Sequence, residues 1–155
     1  MGIKIISGGQ TGADRAGLDV AIDLGISYSG SIVKGRKAED GQLDPLKYKN
    51  IVELKSTSYL VRTEKNVKDA DLTLIFSHGE LEGGSKRTKD YAIKHKKRYI
   101  HIDFLKEIDE SVFDEIRNNI IKSEIKINIA GARASKDPKI YNKVYEFLTK
   151  LFKTD

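Results

Sequence analysis

IKIISGGQTGADRAGLDVAIDL, residues 3–24, decides the fold. It opens on a short β-branched run, Ile3 to Ile6, broken only by Lys4. Such a run predicts a buried parallel strand. Ser7-Gly8-Gly9-Gln10-Thr11-Gly12 follows. Its close-set glycines support neither helix nor strand and predict a sharp turn. Gly17, Val20, Ala21 and Leu24 then share one helical face, with Gly25 placed as a C-terminal cap. Strand, glycine turn and helix make the first half of a βαβ unit. The turn carries bare N–H groups to a helix N-terminus, which favours phosphate or another anion.

Working outward, the chain keeps alternating. Ile26–Val33 reads as a weak strand interrupted by Gly30. Lys34–Gly41 is a polar loop setting three cations beside Glu39 and Asp40. Ile51, Val52 and Leu54 suggest a short strand, and Thr63 an N-cap with Glu64 in the first turn of a helix ending near Ala70. Leu72–Phe76 is the clearest later strand, and a glycine loop to Ser85 follows it. A helix is expected over Lys86–Lys97, then a strand over Tyr99–Ile102. Ser111 to Asp114 reads as a capping box before another helix. Ile127–Ala130 is the final strand and Gly131–Ser135 its turn. Asp137-Pro138 reads as N-cap and N1 proline of the last helix, whose stripe is Tyr141, Val144, Tyr145, Leu148, Leu151 and Phe152. The alternation predicts one α/β domain over residues 1–155, three-layered, with a mostly parallel sheet and the first strand central.

Three turns therefore stand at strand carboxyl ends: Ser7–Gly12, Ser77–Ser85 and Gly131–Ser135. Open α/β sheets bind ligands along that edge. The first turn matches neither G-x-G-x-x-G nor G-x-x-x-x-G-K-[ST], which argues against a dinucleotide oxidoreductase or a P-loop NTPase. Its candidate ligand-binding residues are Gly8, Gly9, Gln10, Thr11, Gly12, Asp14 and Arg15. Gly83, Gly84, Ser85 and Thr88 form a second candidate wall. The plain alternatives are a tight turn without ligand and a Ser85 N-cap. A side chain at Gly12 is expected to obstruct a ligand while the fold survives, and the Thr88 hydroxyl to donate to the anion. His78, His95 and His101 lack metal-ligand spacing, and His95 reads as a helix-surface residue. The pairs Glu39-Asp40 and Glu80/Glu82 read as solvated loop acids.

The 155 residues suffice for one sizeable core. Apolar residues make up 39% and charged residues 33%, as suits a wet surface. There is no cysteine, hence no disulfide, thiolate metal site or thiol nucleophile. No apolar run approaches membrane-spanning length and no signal peptide is recognisable, so the expected location is cytoplasmic. The net charge of +5 is spread over scattered lysines and does not imply nucleic acid.

ISGGQTGADRAGLD (6–19), KGRKAEDG (34–41), YLVRTEKNVKDADLTLIF (59–76), LEGGSKRT (81–88), HID (101–103) and NIAGARASKDPKIY (128–141) resemble the family named putative molybdenum carrier proteins. That family is similar to the molybdenum cofactor carriers. Its superfamily includes the "Lonely Guy" phosphoribohydrolases and the Rossmann-like domain of the DNA-processing protein. The resemblance implies a Rossmann-like fold, a homo-oligomer (dimer or tetramer), and a nucleotide-like or pterin phosphate ligand. For the carriers it implies holding the molybdenum cofactor, molybdopterin, without catalysis. The phosphoribohydrolases carry P-G-G-x-G-T-x-x-E. Here residues 82–91 read EGGSKRTKDY, with no proline, a longer spacing to Thr88 and Tyr91 in the glutamate position.

Three functions follow from the residues and the resemblance together. The first is a carrier for a phosphorylated heterocycle, foremost the molybdenum cofactor, with Arg62 and Lys34 framing the ring. A metal held by the ligand's own dithiolene needs no protein ligand. The second is a nucleotide N-glycosidic hydrolase using Asp14, Glu64 or Asp90. The third is a DNA-associated domain, motivated by the basic balance and the 131–135 turn, without the concentrated basic face such a binder uses.

Overall fold

Strand β1, Ile3–Ser7, is internal to a sheet because its apolar side chains are covered on both faces: Ile5 and Ile6 are both buried. The computed structural model describes residues 2–120 and 124–153. After β1 come α1 (Ala13–Leu24), β2 (Ser27–Ser29), β3 (Ser31–Ile32), β4 (Lys37–Ala38), β5 (Gly41–Gln42), β6 (Val52–Glu53) and α2 (Tyr59–Asp69). Then follow β7 (Leu72–Ser77), α3 (Gly83–Lys94), β8 (Arg98–Asp103), α4 (Glu110–Ile120), β9 (Ile125–Gly131) and α5 (Ile140–Phe152).

Five strands form one parallel sheet in the order β2-β1-β9-β7-β8. The sheet is thus parallel throughout, and the middle place belongs to the last strand, with β1 beside it. Ile5 sits opposite Ile127, and Leu74 opposite Ile129. Counted from β9 as though the chain began there, the order reads 3-2-1-4-5, that of a doubly wound α/β half. Right-handed crossovers send β1–α1–β2 and β7–α3–β8 outward in opposite directions, which puts α1 and α3 on opposite faces. α5 packs along α1, and α2 packs on α3. Phe113 of α4 stacks on Phe147 of α5 at 4.5 Å, so α4 joins the α1–α5 face. The architecture is a Rossmann-like three-layer α/β fold.

Several local expectations are corrected. Ile26–Val33 is two strands, not one. At Gly30, with φ 139°, a Cβ would stand 2.0 Å from the Ser7 carbonyl. The chain bends there out of the main sheet, and β3 pairs with β6 instead. Ser58, not Thr63, caps α2, its hydroxyl accepting from the Val61 N–H. α3 begins at Gly83 rather than Lys86, so the glycines form its first turn, and Ser85 is not its cap. Asp109, not Ser111, takes the acceptor role before α4. Asp137-Pro138 precedes α5 by a turn, with Lys139 at the cap position. Arg36 is buried with φ 54° and donates to the carbonyls of Leu43, Tyr48 and Ile51, which closes the loop carrying β4 and β5.

Candidate functional site

β1, β7 and β9 end side by side, and their three turns surround a cavity of about 410 Å³. It lies at the point where the doubly wound order reverses, where the chain leaves adjacent strands in opposite directions. Its floor is the end of β9, from Asn128 to Gly131. One end is formed by Gly8, Gln10, Asp14, Tyr59 and Arg62, the other by His78, Gly83, Gly84, Ser85 and Thr88. Arg133, Lys136 and Asp137 stand on the wall contributed by the third turn.

The two glycine turns play different parts. In the first, the outer half is locked to its neighbours. A Cβ on Gly12, at φ 81°, would lie 2.3 Å from the Ala132 carbonyl, and that carbonyl accepts the Ala13 N–H. The Thr11 hydroxyl donates to Glu39 at 2.8 Å and accepts from the Ala134 N–H. Glu39 also takes the Ser135 hydroxyl and N–H. Arg15 donates to the Gly9 carbonyl and to Asp40, 3.0 Å away. Gly9, Thr11, Gly12 and Arg15 therefore stand behind the cavity wall, and exposed Lys34 stands apart from it. Glu39 and Asp40 are exposed, as expected of loop acids, but both are engaged by neighbouring side chains. Burial pushes the Glu39 carboxyl up, but the Ser135 and Thr11 bonds outweigh it and hold it below the ordinary value. The hydrogen bond from Arg15 holds Asp40 down likewise. The expectation that a Gly12 side chain would meet only ligand fails, because backbone already fills that space.

Gly8, Gln10, Asp14, Arg62, Gly83, Gly84, Ser85 and Thr88 do face the cavity. At Gly8 a Cβ would stand 2.0 Å from Nη1 of Arg62, so the glycine makes room for that guanidinium. Arg62 pairs with Asp14 at 3.3 Å. Asp14 is 5% exposed. Burial pushes its pKa up to about 6, against the lowering charges of Arg62 and Arg15 and the Gln10 N–H. At Gly83 and Gly84 a Cβ would meet nothing within 4 Å. α3 has no side-chain cap, and with the Ser85 N–H donating to the Glu82 carbonyl at 3.1 Å, it is the N–H groups of Gly83 and Gly84 that open onto that space. The Thr88 hydroxyl, expected as a ligand donor, instead donates to the Gly84 carbonyl at 3.0 Å.

Two side-chain pairings in and beside the site carry no signal in the sequence. His78 Nδ1 meets Asp137 Oδ2 at 2.6 Å across 59 positions of sequence. Nothing in that spacing signals the pair. His95, expected on the surface, bridges α3 to α2 through Glu64 at 2.6 Å. Hydrogen bonds from His95 and Lys94 hold the Glu64 carboxyl low and keep it out of the cavity. Asp90 is exposed and outside it too. Of the three acids considered for hydrolysis, only Asp14 lines the cavity. Among the described residues, no group of three or more His, Asp or Glu converges as for a metal ion, and no helix is long and apolar enough to cross a membrane.

Residues 5–152 match the circularly permutated YpsA SLOG family. The crystal structure of a putative molybdenum carrier protein from Syntrophus aciditrophicus SB is similar, with 46% identity and a TM-score of 0.90 over 97% of this chain and 94% of that one. No curated protein matches the sequence. In this chain the doubly wound order returns when counting starts at β9, the pattern a circular permutation of such a sheet produces. Strand order and a match over nearly the whole length together place this chain in the circularly permutated YpsA SLOG family.

Proposed function

We propose that this protein is a carrier that binds a phosphorylated heterocycle, with the molybdenum cofactor as the leading ligand, and that its phosphate seat is the N-terminus of α3. The observation that carries this reading is the open space over Gly83 and Gly84. An uncapped helix start offers N–H donors and a positive dipole end to an anion. Lys136 and Arg133 also line the cavity as cations, Arg133 paired with Glu39 at 3.7 Å, and Glu80 and Glu82 line it as carboxylates. The α1 turn, by contrast, is occupied by this chain's own Arg62 and Ala132. The residues fit the cofactor in two respects. The cavity falls within the ~300–1,000 Å³ range of small-ligand sites. Its two ends also differ, one open to an anion and one lined by Tyr59 and Leu60. The relative's description as a molybdenum carrier supports this choice of ligand. Molybdenum in such a ligand is cargo held by the pterin dithiolene.

Gly84→Glu tests the seat. A carboxylate in the first turn of α3 favours the helix dipole by about 0.3–1 kcal/mol, so stability holds or rises. The same charge repels an anion there. Calorimetry with pyrophosphate should show affinity lost in a variant whose thermal midpoint is not lowered. Unchanged affinity would move the seat elsewhere. Mass spectrometry of whatever copurifies with the native protein then names the ligand. A second reading, hydrolysis of a nucleotide N-glycosidic bond, is favoured by one observation: Asp14 is a buried carboxyl with a raised pKa inside the cavity. Release of free base from a nucleoside monophosphate would support it. We also expect a homodimer or homotetramer, and light scattering at micromolar concentration showing a single 17.4 kDa species would remove that expectation.

A further inference from the structure

The end of the cavity away from α3 has its own chemistry. Asp14 Oδ2 lies 3.3 Å from Arg62 Nη1. The Arg62 guanidinium lies against Tyr59, 5.6 Å from the ring centroid. Tyr59 and Leu60 are each 41% exposed, although both stand on the cavity wall. This end thus offers a flat aromatic and aliphatic surface beside an acceptor and a donor standing together. A carboxylate accepts about four hydrogen bonds. The partners of Asp14 are Arg62 and the Gln10 N–H, and they do not offset its desolvation. It is a buried acceptor with capacity to spare, and it faces the cavity.

Resting on the phosphate seat described above, we propose that this end reads the edge of a 2-amino-4-oxopyrimidine ring, the edge shared by guanine and pterins. The ring N–H and the exocyclic amino group lie side by side on that edge, and one carboxylate accepts both. The adjacent oxo group is an acceptor and suits the guanidinium of Arg62. Tyr59 supplies the stacking face. Adenine presents a bare ring nitrogen where guanine presents N–H, so it sets two acceptors against each other at Asp14. Hypoxanthine keeps the N–H and lacks the amino group.

Calorimetry of the unaltered protein at pH 7.5 with GMP, IMP and AMP tests this without any substitution. GMP is expected to bind about ten- to a hundredfold tighter than AMP, with IMP between them. 6-Hydroxymethylpterin phosphate, run beside GMP, tells which source of the edge fits the cavity better. Asp14→Asn should bring GMP down to the level of AMP, and Tyr59→Ala should weaken both GMP and the pterin. GMP and AMP binding equally would overturn the proposal. So would Asp14→Asn weakening the two alike, since the carboxylate would then be touching the sugar. If neither these probes nor pyrophosphate binds, the phosphate seat itself fails, and this proposal falls with it. If pyrophosphate binds and the purines are not discriminated, the seat stands and only the ring reading is lost.

Discussion

Asp14 shows how one buried side chain sets a pH dependence. Its folded pKa of about 6 lies above the ordinary value of 3.8, because burial outweighs Arg62. A carboxyl raised in this way binds its proton more tightly in the folded chain. Its contribution to stability is therefore fully present below pH ~4 and lost as pH rises through ~6. Asn at this position does not titrate. The thermal midpoint of Asp14→Asn minus that of the unaltered protein should increase from pH 4 to pH 7. A difference that shrinks would mean that the Arg62 charge dominates the site. Gly12 makes the complementary point. Its backbone, φ 81° and ψ −129°, is a conformation that side chains rarely adopt, and a Cβ would press on the Ala132 carbonyl. Gly12→Ala should cost at least ~1–3 kcal/mol in chemical denaturation. The first turn was legible as a glycine turn at a strand end, because composition alone excludes helix and strand there. What each glycine faces was not legible, since Arg62 and Ala132 are brought there by tertiary folding.

Among the elements, helix starts were the weak point of the sequence reading. Both Ser58 and Thr63 are good caps by type, and the choice depends on where the backbone turns. Ser58→Ala should cost about 0.5–2 kcal/mol, whereas Thr63→Ala should cost little, as urea denaturation of each would show. α3 was placed late because two glycines disfavour a helix by propensity. Burial of Thr88 and Ala92 holds the helix in place regardless, leaving its first turn bare. Glu39, exposed as a loop acid should be, does more than its type signals. Glu39 looked like loop decoration, yet it clamps the turns at 11 and 135 together. Glu39→Ala should destabilise the protein by ~1–3 kcal/mol, seen as a lowered denaturation midpoint. The long strands β1, β7, β8 and β9 were legible because buried parallel strands are apolar runs, whereas the break at Gly30 and the two-residue strands β4 and β5 were not.

For the whole molecule, the alternation of strand and helix was enough to predict a parallel α/β sheet, but not the order of its strands. Order is set by which edges meet, and nothing local in Ile125–Gly131 marks it as the middle strand. That placement has a consequence for how the protein is made. Of the five sheet strands β9 is the last to leave the ribosome, so β1 with β2 and β7 with β8 wait as two half-sheets with unpaired inner edges. Neither half has a partner for its inward row of N–H and C=O groups until residue 131 has emerged. Completion of the sheet is then dominated by contacts distant in sequence, which are slow to form. During that interval the bare strand edges invite pairing between neighbouring nascent chains. A polypeptide ending at residue 120 should show no cooperative thermal transition, and ribosomes stalled there should carry a chain that protease digests readily. Yield in the cell is therefore expected to depend on translation rate and chaperone supply more than on the stability of the finished fold.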